Sequence, residues 1–491
     1  MKKLFLLSLL ICFCSYLCRA QQTVNDTYSV GFQYFKTHDK SRQYFLNEDS
    51  ISRPLLIHFW YPAHKNNEKE HLCFKDYIDL IAIRENFDRN QVEIDASTYN
   101  FVNAYAGFAK QHLKIDSHIT TEQIINSPVL AQYGIAMAKS KEKFPLLIYT
   151  PSNSKSAIQN HMLCEHLASH GFMIISVGSA GKTSLRRPHM RESILAQVTD
   201  MEFILHYFED SLNIEYTHLG LVDFSSGGLA NTIFQMKNNQ VKAILSLDGG
   251  QEYGAYPSLF SLDEFDLIKT NIPYCLLVNN YKNFSIYPFY NSVLTKEKFR
   301  FRMPLLDHNG FVSYWNFFNS PSSNSKDCQV CSTYDYICET ACLFFNKYLN
   351  HHSLKTDTSD IIFPANEFII ADTIDHSKIT QLCNIILSSN NEEGIRFLNK
   401  NQDIFIHQEN EINILSRMFR DGNIELCLQL LLFNVQRHPN SWKAHYELAN
   451  TYKITGDLIL SKKALSTALN LNPKNPEINK LLDEINTFEK K

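Results

Sequence analysis

The hydrophobic positions of residues 28–350 fall into short apolar runs separated by segments in which apolar residues recur at helical spacing. This alternation is typical of βαβ units and predicts an α/β domain with a mostly parallel sheet and helices on both faces. The predicted strands are 55–60, 146–150, 172–177, 219–222, 243–247, 274–278 and 299–305. The predicted helices are 158–169, 197–209, 229–237 and 334–349.

From about residue 376 onward the strand signal gives way to helical periodicity, and the sequence repeats itself. Gly422 and Gly456 are 34 residues apart, and so are Pro439 and Pro473. The second copy, residues 442–474, resembles a tetratricopeptide repeat, since small residues at 449, 461 and 468 would let two antiparallel helices approach closely. In the first copy, Asn434 stands where a small apolar residue is expected. The pattern predicts an all-α array that could bind a protein partner.

These patterns divide the chain into segments. Residues 21–355 form the predicted α/β domain, residues 356–375 a linker, and residues 376–491 the helical array. Within the first domain, residues 64–140 are too long for a plain connection and are predicted to be a mostly helical insertion or lid.

The N-terminal residues 1–20 have the layout of a secretory signal peptide. Lys2 and Lys3 precede an apolar run that ends at Cys18-Arg19-Ala20, and cleavage is expected after Ala20. The run is shorter than the roughly 20 residues that a membrane span needs, and no other stretch is long and apolar enough. The sequence therefore predicts a soluble, exported protein, either periplasmic or secreted.

Composition and charge narrow the class of protein further. The 491 residues are 44% hydrophobic and 20% charged, which is typical of a globular protein with two or more domains. Removing Lys2, Lys3 and Arg19 with the leader leaves 44 of the 47 basic residues against 51 acidic ones, a net charge of −7. This balance disfavours nucleic acid as a partner, because the chain has no long-range attraction to phosphate.

Nine of the twelve cysteines lie beyond the leader, an odd number that leaves at least one thiol unpaired within the chain. Four of them cluster in a short stretch, as Cys328, Cys331, Cys338 and Cys342. Their spacing is shorter than in common zinc modules, so no metal is predicted. Two alternatives stay open: a disulfide from the loop with Cys328 and Cys331 to the following helix, or plain buried thiols.

A strand-to-helix turn at residues 219–230 carries the strongest candidate chemistry. The segment runs from an apolar strand through Asp223-Phe-Ser225-Ser-Gly227 into a helix. A sharp turn of this kind holds a serine oxygen clear of the backbone, beside N–H groups that can stabilise an oxyanion. Ser225 is the predicted nucleophile. Asp223 replaces the glycine that usually opens this motif, and its carboxylate would oppose a developing oxyanion.

The order of residues along the chain adds an acid and a base. Asp248 follows the strand after the serine, and His308 follows the last predicted strand in a loop. The order serine, acid, histidine is that of α/β-hydrolases. The position after the strand 274–278, where the acid is more often found, holds Asn279 and offers no carboxylate. A catalytic triad of Ser225, Asp248 and His308 is therefore predicted.

Several segments together resemble a known family. They are residues 53–63, 144–151, 165–172, the serine turn and residues 242–249. They are similar to the α/β-hydrolases related to platelet-activating-factor acetylhydrolase and dienelactone hydrolase, over about two-thirds of the chain. In acetylhydrolase-like members the acid follows the strand after the serine, which matches Asp248. The resemblance implies an oxyanion hole formed by the backbone N–H groups of Ser226 and Asn153, although the loop reads Thr-Pro-Ser-Asn where relatives commonly have His-Gly.

Other polar clusters are given no catalytic role. Three histidines share one predicted helix at spacings of five and four, which we take to place them on different parts of its surface as packing or surface residues: His161, His166 and His170. A basic loop is expected to be solvated rather than to bind substrate, and it contains Arg186, Arg187, His189 and Arg191. Neither a metal nor an organic cofactor is predicted.

The leading hypothesis is an exported serine hydrolase that cleaves a carboxylic ester, on a small molecule or a lipid, through an acyl-enzyme. The alternative is a catalytically weak or inactive hydrolase scaffold that acts through its tetratricopeptide-like repeats as a protein-interaction module. Asp223 and the 150–153 loop motivate this alternative.

Overall fold

The structure, a computed structural model, describes residues 28–46, 49–112, 120–184, 190–253, 259, 262–279, 287–293, 295, 297–313, 329–350, 370–371, 382, 385–386, 391–405, 409–420 and 423–488. The predicted leader 1–20, most of the linker 356–375, Cys328 and residues 186–189 of the basic loop lie outside the described residues.

A ten-stranded sheet runs through the described part of the first domain, in the order β10-β9-β8-β7-β6-β4-β5-β2-β1-β3. Its strands are β1 Ser29–Leu46, β2 Asp49–Ala63, β3 Ala131–Tyr133, β4 Leu146–Thr150, β5 Met173–Val177, β6 Leu219–Phe224, β7 Val241–Leu247, β8 Tyr274–Val278, β9 Lys298–Arg302 and β10 Ile370–Ala371. Strands β4 to β9 are parallel, whereas β2 is antiparallel to both β1 and β5.

Helices cover both faces of this sheet. They are α1 Phe74–Ile83, α2 Gln91–His112, α3 Thr121–Ile125, α4 His161–Ser169, α5 Met190–His206, α6 Gly227–Lys237, α7 Pro288–Ser292 and α8 Gln329–Leu349. Side chains of a strand alternate between faces, and β4 shows this directly. Leu146 and Ile148 pack with α5 and α6, while Leu147 and Tyr149 pack with α4 and α8. Both faces are therefore buried, which explains the uninterrupted apolar run of β4.

The predicted α/β fold is confirmed, and each of the seven predicted strands corresponds to a strand of the sheet. The long strand β1 is absent from the predicted strands, because its middle part, from Lys36 to Gln43, is polar. It pairs with β2 from Ser29 opposite Ala63 to Leu46 opposite Asp49, with an irregularity between Asp39 and Gln43. Tyr44, near the far end of this pairing, is fully buried.

The insertion 64–140 carries the helices α1, α2 and α3 and the short strand β3. Its first helix is anchored to the sheet and to α4 by buried polar contacts. Trp60 on β2 donates to the hydroxyl of Tyr77 at 2.7 Å, and Tyr77 donates to Glu165 on α4 at 2.7 Å. The insertion therefore packs on the β1–β2 side of the domain.

The C-terminal part is all-α in the described residues. Its helices are α9 Asn391–Lys400, α10 Gln402–Phe405, α11 Glu409–Phe419, α12 Ile424–Arg437, α13 Trp442–Ile454, α14 Leu458–Leu471 and α15 Pro476–Phe488. Helices α12 and α14 begin 34 residues apart, and their caps Asn423 and Asp457 each accept a hydrogen bond from a backbone N–H three residues on. From α11 onward each helix packs against the next, as the periodicity predicts.

Small and polar side chains set how closely these helices approach. Ala449 and Ser461 are fully buried, and the Ser461 hydroxyl donates to the Ala449 carbonyl at 2.7 Å. Asn434, the residue that departs from the repeat pattern, is also buried. Its amide donates to Asn413 Oδ1 at 2.8 Å and to the Glu409 carbonyl at 3.0 Å. A polar bridge from α12 to α11 thus replaces the expected apolar contact.

Two further sequence expectations concern cysteines and membrane spans. Cys338 and Cys342 are buried on α8 as free thiols, which favours the second of the two alternatives for them. Across the described part of the chain, no helix is long and apolar enough to cross a bilayer.

Candidate active site

The turn between β6 and α6 holds Ser225 in a backbone conformation that is rare for residues other than glycine. Ser225 has a φ of 56°, in the left-handed region. Such strain persists only where the surroundings fix it, and it is typical of a nucleophile elbow. Gly227 allows the tight entry into α6, because a Cβ there would lie 2.3 Å from the Thr150 carbonyl oxygen.

The structure brings Ser225, His308 and Asp248 into one hydrogen-bonded chain. The Ser225 Oγ lies 2.9 Å from His308 Nε2, and His308 Nδ1 lies 2.5 Å from Asp248 Oδ2. Because the Asp248 carboxylate can only accept, His308 Nδ1 carries the proton and Nε2 is left to accept from the serine. This is the arrangement in which a histidine can remove the serine proton.

Asp248 is fully buried and is held by donors other than the histidine. The Asn279 side-chain amide donates to its Oδ2 at 2.7 Å, the Asn279 N–H donates to its Oδ1 at 3.2 Å, and the Tyr253 hydroxyl also donates to Oδ1. Asn279 occupies the site at which the acid is more often found. At that position Asn279 does not supply the catalytic carboxylate but orients the carboxylate of Asp248. The sequence alone did not predict this role for Asn279.

His308 begins a short 3-10 turn that follows β9. Asp307 caps this turn by accepting from the Gly310 N–H at 3.0 Å. The imidazole stacks on Phe224, with ring centroids 5.0 Å apart and an interplanar angle of 26°. Its side chain is 35% exposed, so one edge of the ring remains open to a substrate.

Asp223, the residue in place of the usual glycine, is completely buried beneath the elbow. Its Oδ1 accepts from the Ser246 hydroxyl at 2.6 Å and its Oδ2 from the Asn231 amide at 3.0 Å. Burial, with a smaller contribution from Glu252, raises the pKa of Asp223 to about 8 against the lowering effect of these two hydrogen bonds. Near neutral pH the group is therefore mostly protonated, and it adds little negative charge beside an oxyanion.

The side chain of Asp223 fits beneath the turn because Gly228, in the first turn of α6, has no side chain. A Cβ on Gly228 would lie 2.8 Å from Asp223 Oδ1 and 1.8 Å from Gln251 Oε1. The missing side chain at Gly228 thus makes room for the carboxyl group of Asp223. The elbow keeps its geometry although its first glycine is absent.

A network of buried polar side chains continues from Asp223 under the site. The Gln251 amide donates to Ser246 at 2.8 Å and to the Tyr274 hydroxyl at 2.9 Å, and Tyr274 donates to Glu252 at 2.8 Å. Burial raises the pKa of Glu252 to about 7, opposed by hydrogen bonds from Tyr290 and Tyr274. The network fixes α6, β7 and β8 relative to one another.

The two predicted oxyanion donors differ in their partners. The Ser226 N–H donates to no acceptor among the described residues. The Asn153 N–H instead donates to the Ser226 hydroxyl oxygen at 2.7 Å, and Ser152 Oγ lies 3.1 Å from the same oxygen. The Asn153 N–H is thus already hydrogen-bonded to the Ser226 hydroxyl. The sequence did not indicate this contact.

The loop that carries Asn153 is held on several sides. Gln197 donates to the Pro151 carbonyl at 2.8 Å, and the Ser179 hydroxyl donates to the Asn153 side chain at 3.2 Å. Arg84, at the end of α1, donates to the Ser154 carbonyl at 3.4 Å. The insertion therefore reaches the edge of the candidate site.

The three histidines of α4 lie in two different environments. His161 is fully buried beside Phe74 and Tyr77. The interpretation that His166 and His170 lie on different parts of the helix surface is wrong, because their rings stack with centroids 4.2 Å apart. A spacing of four residues is about one helical turn and so places both on one face. Arg191, predicted to lie in the basic loop, instead lies at the start of helix α5 and is exposed.

No family model and no curated protein matches the chain. Among solved structures, the chain is similar to a ferulic acid esterase from Streptomyces cinnamoneus at 15% sequence identity. The match covers 72% of this chain and 98% of that chain, with a TM-score of 0.48.

The fold class follows from the chain's own topology. The parallel strands β4 to β9, the antiparallel β2, and a serine on the turn from β6 to α6 define an α/β-hydrolase fold, here followed by an all-α array.

The raised pKa of Asp223 predicts a specific dependence of stability on pH. In the unfolded chain this carboxyl ionises near pH 3.8, and in the folded protein near pH 8. Between these values the folded state binds the extra proton, so the free energy of unfolding falls as pH rises. The isosteric Asp223→Asn removes this contribution, which is at most about 4 kcal/mol between roughly pH 5 and pH 8.

Urea denaturation of wild type and Asp223→Asn at both pH values measures the difference. Buried acids that do not interact with Asp223 affect both proteins alike, so the difference reports Asp223 together with its interaction with Glu252. Equal losses of stability in the two proteins would show that Asp223 is ionised throughout.

Proposed function

We propose that this protein is a serine hydrolase that cleaves carboxylic esters through an acyl-enzyme. The observation that carries the proposal is the continuous hydrogen-bonded chain from Ser225 through His308 to the buried Asp248. A strained serine on a strand-to-helix turn, with a neutral histidine to accept its proton, is suited to attack on a carbonyl.

In the proposed reaction, Ser225 Oγ attacks the ester carbonyl carbon while His308 Nε2 takes the serine proton. The tetrahedral intermediate expels the alcohol, which receives that proton from His308. A water molecule, deprotonated by His308, then attacks the acyl-enzyme and releases the acid and free Ser225. Asp248 remains ionised and stabilises the imidazolium in both halves of the reaction.

Oxyanion stabilisation falls to the N–H groups of Ser226 and Asn153. For both to act, the Ser226 side chain must rotate away from Asn153, since its hydroxyl accepts from that N–H in the free protein. The protonated state of Asp223 supports activity at neutral pH, because no second charge opposes the oxyanion. The 64–140 insertion, through Arg84 beside Ser154, is placed to shape the acyl or alcohol site.

The contact between Ser226 and Asn153 also favours the second candidate function, a weak or inactive hydrolase that serves as an interaction scaffold. In that case the helical array of residues 376–491 would bind a protein partner. We also propose, from the leader-like residues 1–20, that the protein is exported.

Turnover of esters tests the proposed function. Wild type is expected to hydrolyse at least one member of a panel of short acyl esters, phospholipids and acetylated sugars. Ser225→Ala should lose at least about 1,000-fold in kcat, because it removes the nucleophile. Ser50→Ala, at an exposed serine on β2, is the matched control and should retain wild-type turnover. Wild type inactive on the whole panel, or turnover retained in Ser225→Ala, would contradict the proposal.

Ser226→Ala tests the oxyanion contact. Removing the hydroxyl frees the Asn153 N–H, and a neutral hydrogen bond contributes about 0.5–1.5 kcal/mol, so kcat/KM should rise about 2- to 10-fold. Steady-state kinetics on the best ester of the panel measures the change, with Ser226→Thr expected to show no gain. A fall in kcat/KM for Ser226→Ala would mean that the hydroxyl assists the reaction.

A further inference from the structure

Three side chains of metal-ligand type meet where the end of α4 packs against α8. His166 lies in the last turn of α4, His170 directly follows that helix, and Cys342 lies on α8. One ligand atom from each residue lies within 4.8 Å of the other two. The cluster plays no part in the proposed triad.

One ring nitrogen of His170 is hydrogen-bonded to the protein. Its Nδ1 lies 2.7 Å from the His166 carbonyl oxygen and 3.0 Å from Ser169 Oγ, whose own hydroxyl donates to that carbonyl at 2.7 Å. Nδ1 therefore carries the proton, and Nε2 presents a lone pair. A backbone carbonyl on the second ring nitrogen is the usual way in which proteins fix the tautomer of a ligating histidine.

The imidazole of His166 stacks on that of His170, with ring centroids 4.2 Å apart. Neither of its ring nitrogens has a hydrogen-bond partner among the described residues. The two stacked imidazoles are therefore close enough together to share a cation.

Cys342 supplies a soft ligand from the opposite helix. It is buried, and the Asn346 amide donates to its Sγ at 3.3 Å, a contact that would also stabilise a thiolate. Glu339 lies on the same helix, and its carboxyl group interacts electrostatically with His170. Glu339 is three residues before Cys342 on this helix and is not one of the three residues whose ligand atoms lie within 4.8 Å of one another.

We propose that His166, His170 and Cys342 bind a zinc ion, with Glu339 or water in the fourth position. Two imidazoles and one thiolate are a typical ligand set for zinc. Zinc bonds of about 2.0–2.3 Å in a tetrahedron place ligand atoms about 3.5 Å apart, so small side-chain rotations close the site. On binding, Cys342 releases its thiol proton to solvent and the sulfur coordinates the ion.

The ion would join two helices from distant parts of the sequence. Helices α4 and α8 already pack against each other, and zinc would tie them together at the C-terminal end of α4. The expected consequence is a gain in stability, because zinc binds the folded cluster and not the separated ligands of the unfolded chain.

Metal analysis of the full-length protein tests this proposal independently of ester turnover. After treatment with a chelator and dialysis against zinc, wild type is expected to hold one ion per chain and to melt at a higher temperature than the metal-free protein. With cobalt in place of zinc, a thiolate-to-cobalt charge-transfer band should appear. Cys342→Ser should lose the band and both zinc effects, and His170→Gln should weaken binding at least about 10-fold.

Cys338→Ser is the matched control, because Cys338 is a buried thiol one turn earlier on α8 that is not part of the cluster. It should retain the ion and the cobalt band. Circular dichroism establishes that each variant is folded. If Cys342→Ser does not fold, the zinc affinity of His170→Gln and the cobalt spectrum of wild type test the proposal. Wild type without bound zinc, or equal loss in Cys338→Ser and Cys342→Ser, would overturn the proposal.

Discussion

The conformation of Ser225 is the constraint on which the proposed active site depends. A φ of 56° is unfavourable for serine, and it is maintained by the strand before it and the helix after it. The Ser225 N–H donates to the Leu247 carbonyl at 3.1 Å, and the Ser225 carbonyl accepts from Gly250 at 2.6 Å. Both bonds come from the end of β7 and the residues that follow it, so the segment that carries Asp248 also fixes the nucleophile.

The same constraint explains the buried polar network beneath the turn. Asp223 replaces a glycine at a position of tight packing, and the chain accommodates it by the absence of a side chain at Gly228 and by donors from Ser246 and Asn231. Burial without a cation keeps the Asp223 carboxyl mostly protonated at neutral pH. A residue that the sequence marks as an obstacle to catalysis is thus compatible with a functional elbow.

The sequence predicted the fold where the physical signal was local. The run 146–150 indicates a strand buried on both faces, and chain order led to Ser225, Asp248 and His308. The sequence did not predict strand β1, because much of its length is polar and it is held by pairing with the neighbouring strand β2.

The remaining features depend on contacts between residues distant in sequence. Asn279 lies 31 residues from Asp248, and Asn153 lies 73 residues from Ser226, so no local pattern shows that either pair is bonded. The stacking of His166 and His170 is different, because helical spacing alone places the two rings on one face.

The most direct test of the proposed nucleophile is covalent labelling of the folded protein with a fluorophosphonate, followed by intact mass and peptide mass spectrometry. An activated serine displaces fluoride from such a reagent, whereas an ordinary hydroxyl does not react at a comparable rate. The account predicts a single adduct per chain, located on Ser225 and absent when the protein is unfolded before labelling. No adduct on the folded protein, or an adduct on another residue, would contradict it.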